Sequence, residues 1–329
     1  MSVRWRHVLP AVACGLFVLT HTEAQSLAGI QLGSPEIFAP GIISGPGNDG
    51  SPTFSPEGNT LLFTRSGANW ATILESHRVR GSWSKPKIAS FSGEWPDQQP
   101  VFSSDGSYVI FSSSRPDSQV SGAVDATSAL HHGTALWRVN RTASGWGRPV
   151  RLPATVNISP AVFRPSLAAN GNLYFMALVQ ATKFRLFCSR NVDGEYKQAE
   201  ALSFSDGTVS DVDPEVAPDE SFLLFSSDGR RTGDTAHEHL YLVHKTGSGW
   251  GAVIPLLYPE SETGASNDND ARCSRDLKML YISSDRTLLE HHPMTREETE
   301  KALARLEWNN SNTNVWILPA SSLFERQKS

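Results

Sequence analysis

Aspartates recur in this chain just ahead of a short apolar run: Asn48-Asp49, Asp97, Asp211 with Asp213, and Asp268 with Asp270. Arginines recur after a second apolar run, at Arg65, Arg115, Arg230 and Arg286. Histidines gather in three later stretches: His131-His132, His237-Glu238-His239 and His291-His292. Three chemistries suit these residue types. Carboxylate with imidazole suits a zinc-like ion, but of two adjacent histidines only one faces a given site, so no metal ligand is assigned. Paired carboxylates at a channel are the equipment of glycoside hydrolysis, with Asp97, Asp213 and Asp270 as the candidate groups. Arginine with aspartate also makes charge-assisted forks that hold a scaffold together. Such forks would lie within a repeat or between neighbours and fix their register. They account for Asp and Arg and leave the histidine stretches unexplained. The candidate ligand-binding set is therefore Asp97, Arg115, Asp213, Arg230, His239, Asp270 and Arg286.

What positions these groups is a repeat. Ser51 to Arg65 reads SPTFSPEGNTLLFTR: a short strand, a turn, a second strand. The same unit recurs with first strands expected from Pro52, Pro100, Pro165, Pro214 and Ala271. Second strands are expected at Leu61–Phe63, Val109–Phe111, Leu173–Phe175, Leu223–Phe225 and Leu280–Ile282. Gly58, Gly106 and Gly171 suit tight turns that need positive φ. The fourth and fifth turns have Glu220 and Leu277 there, so they are expected to be looser. A third strand follows in each unit, and a Trp/Pro segment such as Gly81-Ser82-Trp83 supplies the fourth.

Four short strands per unit, repeated, is the arithmetic of a β-propeller. Five blades are predicted, with six as the alternative. The fifth unit stops after its third strand, and the segment Pro35–Pro40 is left over near the N-terminus. Pairing the two closes the ring and removes an open edge. The loop into each first strand and the loop between strands two and three then emerge on one face. Long loops on a rigid scaffold are where function concentrates. In the fifth unit that loop holds a predicted helix from Arg296 to Trp308, with Thr295 and Glu298 as a capping box and Leu303, Leu306 and Trp308 against the propeller.

The chain has 329 residues and a formal net charge of −5, with no basic block. That disfavours non-specific nucleic-acid binding. Residues 1–24 carry Arg4 and Arg6, an apolar run Val8–Leu19 and a small-residue exit at Ala24, the pattern of a secretory signal. The run is short for a membrane span. Residues 25–329 then form a single propeller domain, placed in the periplasm or secreted. Cys188 and Cys273 fall in blades that are not neighbours and read as buried free thiols. There is no Gly-rich phosphate loop, no Gly-x-Ser-x-Gly elbow and no Cys-x-x-Cys pair, so the cofactor is left open.

The pattern Pro52-Thr53-Phe54-Ser55-Pro56-Glu57-Gly58, with later units ending in forms such as Ser283-Ser284-Asp285-Arg286, resembles the TolB-type propeller repeat. That resemblance implies an architecture rather than one activity. The expectation is an exported, monomeric propeller that binds a protein partner or small ligand on its loop-bearing face. The alternative is an exported hydrolase or lyase acting on a saccharide or similar small substrate.

Overall fold

The structure, a computed structural model, describes residues 29–116, 133–180, 183–231, 237–247, 249–259, 266–288 and 292–324. Five antiparallel sheets follow in chain order and form a five-bladed β-propeller. The innermost strands are Asn48–Phe54, Asp97–Phe102, Val162–Leu167, Asp211–Val216 and Asp268–Cys273. Ring closure is as the sequence predicts. Glu36–Ile37 pairs antiparallel with the third strand of blade 5 at Trp316 and Ile317. A further N-terminal strand, Ile30–Gln31, was not expected; it runs parallel to Leu256–Leu257 of blade 4. One short N-terminal segment thus ties blades 4 and 5 together.

The innermost strands start three or four residues before the expected positions, because the prolines mark a bulge and not a strand end. Each strand breaks register at one place: Gly50/Thr53, Gln98/Val101, Phe163/Ser166, Val212/Glu215 and Asn269/Arg272. At each break one residue adopts positive φ: Ser51 (51°), Gln99 (56°), Arg164 (51°), Asp213 (53°) and Asp270 (53°). A bulge leaves a residue unpaired, so the proline that follows in four of the five costs no ladder hydrogen bond. The bulge re-aims one side chain per blade toward the axis.

The turns are uniform, which corrects the expectation of looseness in blades 4 and 5. Gly58, Gly106 and Gly171 donate their N–H groups to Ser55, Ser103 and Ala168 at 2.8–3.0 Å. Glu220 and Leu277 donate to Ala217 and Ser274 at 2.9 and 2.8 Å. Those two accept positive φ, 59° and 57°, without glycine. Glu220 is held there by Asn170, Asn172 and the Tyr174 hydroxyl of blade 3, all donating to its carboxylate.

Blade-to-blade register is set by hydroxyls. Gln99 N–H donates to Thr64 Oγ1 of blade 1 (2.8 Å), Arg164 N–H to Ser112 Oγ of blade 2 (3.1 Å) and Ser51 N–H to Ser283 Oγ of blade 5 (3.1 Å). The second strands of blades 1, 2 and 5 thus latch the next blade's bulge, whereas blade 3 carries Met176 at the matching position, opposite Phe163. Ser226 holds the same register in blade 4, opposite Val212 as Ser112 is opposite Gln98. Yet its hydroxyl is buried with no partner. A buried N–H that loses its acceptor costs about 1–3 kcal/mol. Ser283→Ala should therefore lower stability by about 1–2 kcal/mol, and Ser226→Ala should leave it nearly unchanged. Equal losses for the two in urea unfolding would refute the latch.

Apolar clusters fill the wedges between blades, with tryptophans of the fourth-strand segments as fillers. Trp146 meets Phe91 and Phe102, and Trp250 meets Phe204 and Tyr174. Phe38, Phe54, Trp83 and Tyr281 seal the closing junction. The helix Arg296–Arg305 begins at the predicted capping box of Thr295 and Glu298. It buries no residue, and Leu303 and Leu306 are exposed, contrary to expectation. Trp308, beyond the helix, is the anchor, packed edge-on to Trp316.

Candidate functional site at the channel mouth

The repeated Asp–Arg set forms ion pairs inside single blades. Asp49 lies directly across the ladder from Arg65, and their side chains meet at 2.6 Å. Arg115 meets Asp97 at 2.7 Å, Arg230 meets Asp211 at 2.7 Å and Arg286 meets Asp268 at 2.8 Å. All four carboxylates are buried. Arg65, Arg115 and Arg230 each also donate to a carbonyl of the segment leading into their blade, at Ile43, Phe91 and Phe204. The three guanidinium groups rest over Phe63, Phe111 and Phe225. Each of these three forks therefore ties a blade's two inner strands to its leading segment, and the register between blades falls to the hydroxyls at three junctions. Of the seven candidate residues, Asp97, Arg115, Arg230 and Arg286 are placed in these forks.

Asp213 and Asp270 are placed elsewhere. They are bulge residues, so their side chains converge at the channel with those of Arg164, Gln99 and Ser51. Arg164 crosses from blade 3 to blade 5. It is fully buried, its Nη2 donates to the Ala271 carbonyl at 2.9 Å, and its Nε stands 2.7 Å from Asp270 Oδ1. That close ion pair lacks hydrogen-bond alignment, and both atoms, with Arg164 Nη1, have no hydrogen-bond partner. The other oxygen of Asp270 accepts from Ser51 Oγ at 2.7 Å. Glu238, in the segment ahead of the third strand of blade 4, accepts from Asn269 Nδ2 at 2.7 Å. A third carboxylate thus joins Asp213 and Asp270.

Burial pushes the Asp213 carboxyl well above its usual range; the neighbouring Asp270 and Glu238 add to this, and Arg164 only partly offsets it. The backbone N–H of Asp270 faces the Asp213 carboxylate. That N–H is the group that Ser226 would have latched by analogy with the other blades. Burial likewise raises Glu238, with Asp270, Asp228 and Asp285 contributing and the Asn269 hydrogen bond opposing. The Asp213 and Glu238 carboxyl groups at the mouth between blades 4 and 5 are therefore both shifted toward their protonated forms, with burial the leading cause.

One layer deeper, two residues beyond each bulge residue, stand Thr53, Val101, Ser166, Glu215 and Arg272. Arg272 Nη1 meets Glu215 Oε2 at 2.6 Å, and Ser166 Oγ donates to the same oxygen at 3.0 Å. Burial, then Arg164 above it, depress the Arg272 guanidinium to about 10. Arg164 and Arg272 are thus both buried near the axis, close enough for one guanidinium to act on the other.

His239 lines a cleft of 350 Å³ on blade 4 with Arg230, Arg231 and Tyr241. His131, His132 and His291, and residues 1–28 with the signal pattern, lie outside the described residues. Among the described residues no three His, Cys, Asp or Glu side chains are placed to share a metal ion. No described helix is long and apolar enough to cross a membrane. Cys188 and Cys273 are free, and burial raises both thiols, Cys188 to about 11. Sequence reasoning did not single out Arg164, Glu238 or Arg272. The five-fold alignment contained a signal for two of them: Arg164 is the residue before Pro165, where the other blades carry Ser51, Gln99 and Asp213, and Arg272 follows Ala271.

No family model matches the sequence, and no curated protein matches it. Solved structures do. An α-L-arabinofuranosidase from Podospora anserina, in complex with cellotriose, aligns over 89% of this chain and 96% of its own at 7% identity and a TM-score of 0.51. A putative TolB from Agrobacterium tumefaciens aligns over 83% and 91% at 14% identity and a TM-score of 0.48. TolB from Acinetobacter baumannii aligns over 84% of this chain and 55% of its own at 11% identity and a TM-score of 0.45. At these identities the likeness is one of fold.

Proposed function

We propose that the protein is an exported binding propeller, periplasmic or secreted, that receives a small polar ligand, or a protruding polar group of a protein partner, at the mouth between blades 4 and 5. The observation that carries this is the convergence of Asp213, Glu238 and Asp270 there, at the one blade whose hydroxyl latch, Ser226, is left unpartnered. Buried polar groups left without a partner concentrate at functional sites, and blade 4 differs from blade 3, where the matching position is Met176, in having a hydroxyl to leave unpartnered. In a thermal-shift screen of small polar molecules and glycans, a hit should stabilise the wild type and lose its effect in Asp213→Asn and Glu238→Gln. A hit that stabilises both folded variants as well as the wild type would place binding elsewhere.

A second reading is hydrolysis of a saccharide. It is favoured by the raised Asp213 and Glu238 carboxyls, since a carboxylic acid that keeps its proton near neutral pH is what a glycosidic leaving group needs. The similar arabinofuranosidase fold shows that such a propeller can serve this chemistry in another protein. Turnover of any member of a glycan panel, abolished by Asp213→Asn, would replace the binding reading with this one.

A further inference from the structure

Blade 2 holds a second cleft, away from the axis, of 460 Å³. It is built from the segment leading into the blade (Phe91, Glu94, Trp95), the end of the second strand (Arg115), the third strand (Trp137) and the approach to the fourth (Arg148). Its volume is that of an ordinary small-molecule site.

Three features are not explained by folding. Trp137 is only 5% exposed, and its indole N–H has no acceptor. Trp316 holds the matching position in blade 5 and is also unpartnered, but it lines no described cleft. Trp95 is half-buried yet, among the described residues, belongs to no apolar cluster and touches no other ring. Arg148 is exposed and makes no ion pair among the described residues, although the fold gives Arg115 both Asp97 and the Phe91 carbonyl.

Together these give the cleft an excess of donors. Among the described residues, an indole N–H without an acceptor, the exposed Arg148 guanidinium and the outer edge of the Arg115 one line a cleft that has one carboxylate, Glu94. A carboxylate is the acceptor that guanidinium groups grip most strongly, often with two parallel hydrogen bonds. The free face of Trp95 supplies a flat apolar surface on which a ring can lie. We infer that this cleft binds a ring-bearing carboxylate, with the acid on Arg148 and Arg115, an acceptor on Trp137 Nε1 and the ring against Trp95.

This site is independent of the channel mouth. Titrating the full chain with D-glucuronate, benzoate and D-glucose, and following tryptophan fluorescence and heat, tests it. At least one of the two carboxylates should bind, and D-glucose should bind at least about tenfold more weakly. The stronger of the two acids identifies a sugar acid or an aryl acid as the ligand type. Arg148→Ala and Trp95→Ala should each weaken binding about tenfold or more, while Asp213→Asn should not change it. Arg148 is on the surface, so its variant folds, and unchanged affinity there overturns the inference. So does failure of both acids to bind, or D-glucose binding as tightly as the acids.

Discussion

Arg272→Met should cost about 3–5 kcal/mol and lower the melting temperature by roughly 10 °C. The substitution keeps the volume and the unbranched stem, so packing changes little. What it removes is the only ion-pair partner of Glu215 among the described residues, and both residues are almost fully buried. Breaking such a pair leaves an uncompensated charge in a low dielectric, which outweighs the modest net worth of the intact pair. The Arg272 N–H groups also reach the Pro52 and Pro100 carbonyls of blades 1 and 2, at 3.3 and 3.4 Å. One side chain therefore touches three other blades, and its loss loosens the axis as well as one pair. Arg272→Met with Glu215→Leu should recover most of the loss, because no charge is then stranded. Urea unfolding of the two variants decides the matter. A single variant within about 1 kcal/mol of wild type, or a double variant worse than the single, would show that the buried pair does not hold the blades together at the axis.

The parts of this fold legible in the sequence are those the repeat writes several times. The turns, the second strands and the closing strand at Glu36–Ile37 follow from five aligned copies and from the need to pair an edge. The bulges were written too, as a proline after the re-aimed residue, but a proline reads equally well as a strand start. The Asp–Arg forks were visible as a pattern, and their direction was not: whether Arg115 meets the aspartate of its own blade or the next depends on register across the ladder. The hydroxyl latches were hidden because serine is common in turns and strands alike, and only Ser51, Gln99 and Arg164 in place show what Thr64, Ser112 and Ser283 hold. Arg164 and Glu238 escaped for the opposite reason. Each occurs once, at a place where the other blades differ, and a repeat alignment rewards what recurs.

The channel-mouth carboxyls lead to an expected dependence on pH. Asp213 has a folded-state pKa well above 3.8, so in the fold it keeps a proton that the unfolded chain has released. The native state then binds more protons than the unfolded one, and stability falls as pH rises from about 4 through the folded value. Asp213→Asn removes that dependence while leaving an oxygen for the Asp270 N–H. At pH 8 the variant should therefore be more stable than wild type. The gain should close toward pH 4, where the aspartate is protonated in both states. Glu238→Gln should act in the same direction, with burial again the leading cause. Chemical denaturation of wild type and variants at pH 4 and pH 8 measures the difference directly, because the other titrating groups largely cancel in the comparison. An Asn variant less stable than wild type at pH 8 would mean that Asp213 is ionised and held by Arg164, and the mouth would then present fixed negative charge. A variant that is more stable there and also loses the ligand would show that the fold bears a stability cost at this one blade for the sake of what the mouth binds.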